Sequence, residues 1–232
     1  MRNFNREFRL VRLEDEARFD GFEFDECKFF RCVIEARAVQ RRLDLDKRIV
    51  FSDCTLRKCV QDRCLVGPVV LQKCLLDGLQ SPDGGMRIDG ALFDQVVIRG
   101  DVGVLRVVPD ATGGTDADFD HALYQANRSR YAGVSWAIDV TDAISNGLAL
   151  YGIPPELIRY DPQRQGVIRR KNVENSYQDA INVCQQTYFA SCISNLQYFP
   201  TADNVCVSIP SLGDVKACHD ALVELRRLGF AD

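Results

Sequence analysis

Residues 49–78 read IVFSDCTLRKCVQDRCLVGPVVLQKCLLDG. Cysteines fall at Cys54, Cys59, Cys64 and Cys74, and Val69 holds the place between the last two. That period of five is neither the roughly 3.6 of a helix nor the roughly 2 of a flat strand. Written in rows of five, the first column is small or β-branched: Ile49, Cys54, Cys59, Cys64, Val69, Cys74. The third is mostly large and apolar: Phe51, Leu56, Val66, Leu71, Leu76, with Gln61 the exception. A fixed period with these two columns marks a stacked repeat.

The frame extends outward in both directions. Residues 17–36 read ARFDG, FEFDE, CKFFR, CVIEA, with Phe19, Phe24, Phe29 and Ile34 in the third column. Residues 86–100 read MRIDG, ALFDQ, VVIRG, with Ile88, Phe93 and Ile98 there. Over residues 17–100, in thirteen nearly in-frame repeats, the sequence resembles the pentapeptide-repeat family. The resemblance implies a right-handed quadrilateral β-helix, four repeats to a coil and about three to four coils, with the small first column pointing inward.

Two shifts interrupt the frame. Cys32 and Ile49 are seventeen residues apart where fifteen would keep register, and Cys74 and Met86 twelve where ten would. Each is read as a two-residue insertion, the first within 37–48 and the second within 79–85. The stacks then expected are Cys32–Cys54–Cys74–Val96 and Cys27–Ile49–Val69–Ala91. The second column, polar in the family, here carries Val33, Val50, Val70, Leu75, Leu92 and Val97. Sorted by wall, Val33, Leu75 and Val97 fall together, as do Val50, Val70 and Leu92. Outward apolar residues in contiguous rows mark a contact surface. The cheapest cover is the rest of the chain, by the helix around Tyr177 or the last helix; a homodimer is the alternative. The first insertion is basic (Arg37, Arg41, Arg42, Lys47, Arg48). It is a candidate binding loop or a solvated charge run.

Composition narrows the classes. The 232 residues are 46% apolar and 27% charged, ordinary for a globular protein. The charged start MRNFNREFRLVRLEDE has no signal-peptide apolar region, and a cytoplasmic, non-membrane protein is expected. Net charge is −4, about +1 over residues 1–108 and −5 over the remainder, which argues against direct nucleic-acid binding. Six of the ten cysteines occupy the first column and read as small hydrophobes. Their C-x4-C spacing is not that of a zinc knuckle, so neither metal nor cofactor is expected.

Residues 1–16 are expected to cap the repeats, with Phe4 and Phe8 as buried anchors. Pro109, Gly113 and Gly114 suggest a linker over 109–115. Beyond it, 116–232 reads as a small α/β or α+β domain. Helices are predicted over 116–130 and 174–199, with a final helix capped by Ser211. Strands are predicted at 133–140, 166–170 and 205–209.

Catalytic constellations are sparse. His121 and His219 read as surface residues. Asp139 and Asp142 follow a strand and, with Trp136 and Arg159, form a candidate pocket; two such Asp are also ordinary turn formers. The expected function is therefore a non-catalytic protein–protein interaction protein, a scaffold or an immunity factor, monomeric or dimeric, with an unknown protein partner. An enzyme with a catalytic C-terminal domain is the alternative from another class. Some pentapeptide-repeat proteins imitate duplex DNA and protect type II topoisomerases; a short, near-neutral repeat region argues against that here.

Overall fold

A computed structural model describes residues 1–13, 17–34, 47–82, 85–112 and 115–232. Its N-terminal half is strand-rich and built from parallel ladders, compatible with a β-helix-like path. The first ladder holds Arg2–Phe4, Glu23–Asp25, Thr55–Arg57, Leu75–Asp77 and the start of Val96–Val108. The second holds Glu7–Arg9, Lys28–Phe30 and Val60–Asp62. The third runs from Arg12–Leu13 through Val33–Ile34, Leu65–Val66 and Met86–Asp89 to the end of Val96–Val108. The fourth holds Arg18–Asp20, Ile49–Ser52, Val69–Gln72 and Leu92–Asp94. The chain visits the four in turn.

The register explains the columns. Leu56 lies between Phe24 and Leu76, and Leu71 between Phe51 and Phe93. Phe8 stacks on Phe29 at 5.0 Å and Phe19 on Phe51 at 4.9 Å. At the fifth position the backbone turns left-handed: φ is +53° at Asp53, +47° at Lys58, +51° at Arg63 and +51° at Lys73. Side-chain-bearing residues at these corners hold a conformation that ordinarily favours glycine, the residue found at the equivalent corners Gly21, Gly78, Gly90 and Gly100. All ten cysteines are free thiols. Those of the repeat donate to main-chain carbonyls, as Cys59 does to Phe24 O at 3.4 Å and Cys74 to Phe51 O at 3.3 Å.

Several expectations are corrected. Residues 2–13 are not a cap but a further set of three ladder strands, with Asn3, Phe8 and Leu13 in line with Phe24, Phe29 and Ile34. Phe8 points inward, whereas Phe4 is 60% exposed. Val50 pairs with Arg18, thirty-two residues back, so the first insertion is twelve residues and not two. Cys54 and Cys74 stack as expected, but Cys32 belongs with Cys64, and Cys27 with Cys59, on other ladders. The second insertion is two residues: Val66 pairs with Ile88. Gln61, the odd third-column residue, is 3% exposed; its amide reaches Ser81 Oγ and Gly85 O beside that insertion.

The ladders do not stop at residue 108. Val96 pairs with Ile138, Gly100 with Ala143 and Val107 with Leu150, so Ile138–Asp139 and Ala143–Tyr151 extend the same sheet. Asn204–Ser208 and Gln165–Arg169 then add to it antiparallel. Helix α1 (Ala117–Tyr131) lies between; Asp116 Oδ1 accepts from Phe119 N, and Arg128 and Arg130 close its last turn, as the helix dipole favours.

Four more helices follow: α2 (Arg170–Val173), α3 (Tyr177–Val183), α4 (Tyr188–Tyr198) and α5 (Val215–Arg227). The single helix expected over 174–199 is two, because Thr187 caps α4 by accepting from Phe189 N. Asp214, not Ser211, precedes α5. Helices α3, α4 and α5 share a second core with Val108, Ala149 and Tyr151. Among the described residues no helix is long and apolar enough to cross a membrane.

Candidate binding groove

The residues singled out in the sequence fall in four places. Val50, Val70 and Leu92 are consecutive on the fourth ladder. Val70 and Leu92, each 4% exposed, share a buried cluster with Phe119, Leu123 and Tyr131 of α1. The chain does fold onto this wall, but through α1 and not through the helices at 177 or 215. Leu75 and Val97 are neighbours on the first ladder, half-buried. Val33 is not with them; it pairs with Leu65 on the third, since the longer insertion moves it round.

Of the basic loop, Arg37, Arg41 and Arg42 lie outside the described residues. Lys47 is half-exposed. Arg48 is 1% exposed and donates to Asn127 Oδ1 of α1 at 2.6 Å, so it belongs to the interior and not to a solvent-facing patch.

The fourth group lines neither of the two cavities described below. Arg159 stacks over the Trp136 ring at 4.2 Å. Asp139 accepts from Thr141 N at 3.0 Å, a local turn, and Asp142 is exposed.

The concave site lies elsewhere, where α1 meets the C-terminal strands. It is a groove of about 580 Å³. One side is α1, with Tyr124, Arg128 and Tyr131; the other is 152–157, with Pro154, Pro155 and Leu157 supplying apolar wall. Gly152, at φ +73°, turns the chain between them, and a Cβ there would meet Pro109 Cβ at 3.1 Å. Arg169, Arg170, Lys171 and Glu174 line the far end, and Asp203 and Asn204 the floor.

Most of its charges are already paired. Tyr124 OH donates to Asp203 Oδ2 at 2.9 Å, and Arg128 bridges to the same carboxylate. Burial, then the bond to Asp203, pushes the Tyr124 hydroxyl up to about 12. Arg169 Nε donates to Asp232 at 2.8 Å. Arg170 is spent on carbonyls after α4, donating to Ala202 O at 2.9 Å and Phe199 O at 2.6 Å.

What is left over is informative. Asn204 is 1% exposed, and its Nδ2 has no hydrogen-bond partner among the described residues. An unpartnered buried amide costs about 1–3 kcal/mol. Lys171, Glu156 and Glu174 stand exposed around it. No sequence spacing could reveal this site: its residues come from four segments spread between 124 and 204.

No protein-family model and no curated protein matches the chain.

Proposed function

We propose that this is a non-catalytic binding protein built on a right-handed, four-sided β-helix of the pentapeptide-repeat type, and that the groove over Asn204 receives a partner protein. The pentad columns, the ladder register and the left-handed corners every five residues support the β-helix. The observation that carries the binding role is the buried, unpartnered Asn204 amide on the floor of a groove rimmed by Lys171, Glu156 and Glu174. Such unused hydrogen-bonding capacity suits a polar partner placed by a few directional contacts. A cytoplasmic location is part of this reading, supported by ten unpaired thiols.

The alternative, a catalytic C-terminal domain, gains nothing from the geometry. Trp136, Asp139, Asp142 and Arg159 line neither described cavity, and a Tyr124 hydroxyl pushed up to about 12 is a poor proton acceptor at neutral pH.

The test is site-specific photo-crosslinking in host extract from position 171, with position 73 on a ladder corner as control. A discrete adduct from 171, absent from 73 and lost in Asn204→Ala, is expected. Identical adducts from both positions would remove the groove from the proposal.

A further inference from the structure

The two ends of the ladder stack are finished differently. At the far end Ile138–Asp139 and Ala143–Tyr151 continue the sheet. At the near end Arg2–Phe4, Glu7–Arg9, Arg12–Leu13 and Arg18–Asp20 each stand last in their ladder among the described residues. Asn5 N and Leu10 N donate to the next coil, and Met1 O and Arg6 O accept from it. Peptide groups alternate sides along a strand, so those of Arg2, Phe4, Glu7 and Arg9 point out of the stack. An open edge of this kind is a template for another strand.

Apolar surface gathers at the same end: Met1 is 76% exposed, Phe4 60%, Leu10 75% and Val11 37%. Between the ladders lies a hollow of about 300 Å³, walled by Phe24, Leu56 and Leu71 among others, whose lining reaches the surface at Met1 and Val11. Exposed apolar residues in one contiguous group mark a contact surface.

The edge sequence selects the partner. Glu7–Phe8–Arg9 is its own charge complement when turned end for end: antiparallel about Phe8, each Glu7 lies opposite an Arg9. These are the two residues whose main-chain groups point outward, so the pair exchanges both N–H···O=C bonds. Within one chain Arg9 already bonds Glu7. Across the axis the two pairs become one alternating set of four, and opposite charges directly across an antiparallel pair are favourable. Asn3, Phe8 and Leu13 occupy equivalent places on three successive walls. The same two-fold axis therefore sets Arg2–Phe4 of each copy against Arg12–Leu13 of the other. Arg18–Asp20 lies half a coil further in, and symmetry doubles that climb, so the fourth wall stays open by about one more strand spacing, ~4.8 Å.

We infer that the chain forms an end-to-end homodimer through the outer edge of its first coil, with the two Glu7–Arg9 strands antiparallel about a two-fold axis at Phe8. A second copy brings the matching charges by symmetry, and an isologous contact of this kind closes at two chains. One coil in cross-section is a small interface, so association is in the micromolar range.

Sedimentation equilibrium of the full chain should show one chain mass at about 1 μM and approach two at about 100 μM. Arg9→Glu sets acids against acids, and Glu7→Arg sets bases against bases; both positions are exposed. Each variant alone should associate at least about tenfold more weakly than the parent. An equal mixture of the two restores opposite charges across the axis and should recover the dimer. In the parent, amide exchange at Glu7 and Arg9 should slow as concentration rises. A parent still monomeric at about 100 μM, or a dimer untouched by both substitutions, would overturn the interface. A mixture no tighter than its components would overturn the antiparallel register. If either variant fails to fold, the parent's exchange decides: rates at Glu7 and Arg9 independent of concentration would remove this edge from the contact.

Discussion

Arg48 Nη1 donates to Asn127 Oδ1 at 2.6 Å, joining residues seventy-nine apart in the chain. Asn127 is 4% exposed and passes the connection on, donating from Nδ2 to Gly90 O at 3.2 Å. Tyr131 OH, one turn further, accepts from Phe93 N at 3.4 Å. These bonds fasten α1 to the fourth ladder, where Leu123 packs so close to Gly90 that a Cβ there would come within 2.7 Å of it. The wall of Val70 and Leu92 is thereby part of one core with the helix.

Asn127→Ala takes an acceptor from a buried guanidinium and leaves Gly90 O without its donor. A loss of roughly 1.5–3 kcal/mol is expected, read from the urea midpoint in a single transition for both halves. Two separated transitions would show that α1 is not part of the repeat core.

The left-handed corners give a prediction of opposite sign. Lys73, at φ +51°, is exposed. A non-glycine residue there costs roughly 1–2 kcal/mol, against about 0.5–1 kcal/mol for the greater chain freedom of glycine. Lys73→Gly should therefore stabilise by about 0.5–1 kcal/mol, and Lys73→Val should destabilise because a β-branched residue fits the left-handed region worst. A glycine variant less stable than the parent would show that the corner is not strained.

These corners also mark what the sequence conceals. Gly21, Gly78, Gly90 and Gly100 in the fifth column hint at a left-handed corner, but Asp53, Lys58, Arg63 and Lys73 in the same column look like solvated charge. The first and third columns, by contrast, were plain, because stacking demands small beside large. The gap from Cys32 to Ile49 was ambiguous on arithmetic alone. Seventeen residues can be three repeats plus two or one repeat plus twelve; only the pairing of Arg18 with Val50 chooses the second. The groove was invisible for a different reason: Tyr124, Gly152, Lys171 and Asn204 share no period and meet only through the sheet that continues past residue 108.

Core burial should govern thiol chemistry. Burial pushes Cys59 and Cys206 up to about 12, so neither is a thiolate at pH 8. Cys54 and Cys74 are linked: the hydrogen bond from Cys74 lowers Cys54 to about 7, and that same bond, then burial, raises Cys74. Alkylation of the native protein at pH 8 should be slow at Cys59 and Cys206 and fall in step with added stabilisation, with Cys54 the first of the three to react. Rapid labelling of Cys59 in the native protein would place the first column outside.

The last prediction concerns pH. Asp110 is 4% exposed and accepts from Thr201 Oγ1 at 2.9 Å. Burial, outweighing that bond, raises its carboxyl above the usual 3.8, and the nearby carboxylates of Asp120 and Asp89 add to the rise. Burial raises Asp89 as well, against the pull of Arg87. A carboxyl whose folded pKa exceeds its unfolded value binds its proton more tightly when folded. Its ionisation therefore subtracts stability as pH rises from about 3.8 through the folded value, and the full cost persists at neutral pH. Asp110→Asn keeps an acceptor for Thr201 and removes the charge. It should be more stable than the parent at pH 7, and the advantage should shrink as the pH falls below the folded value and vanish below about 3.8, where Asp110 is protonated in both states. Urea midpoints of the two proteins at pH 7 and pH 3.5 measure this. An advantage that is absent at pH 7, or equal at both values, would mean that Asp110 is not held against its charge.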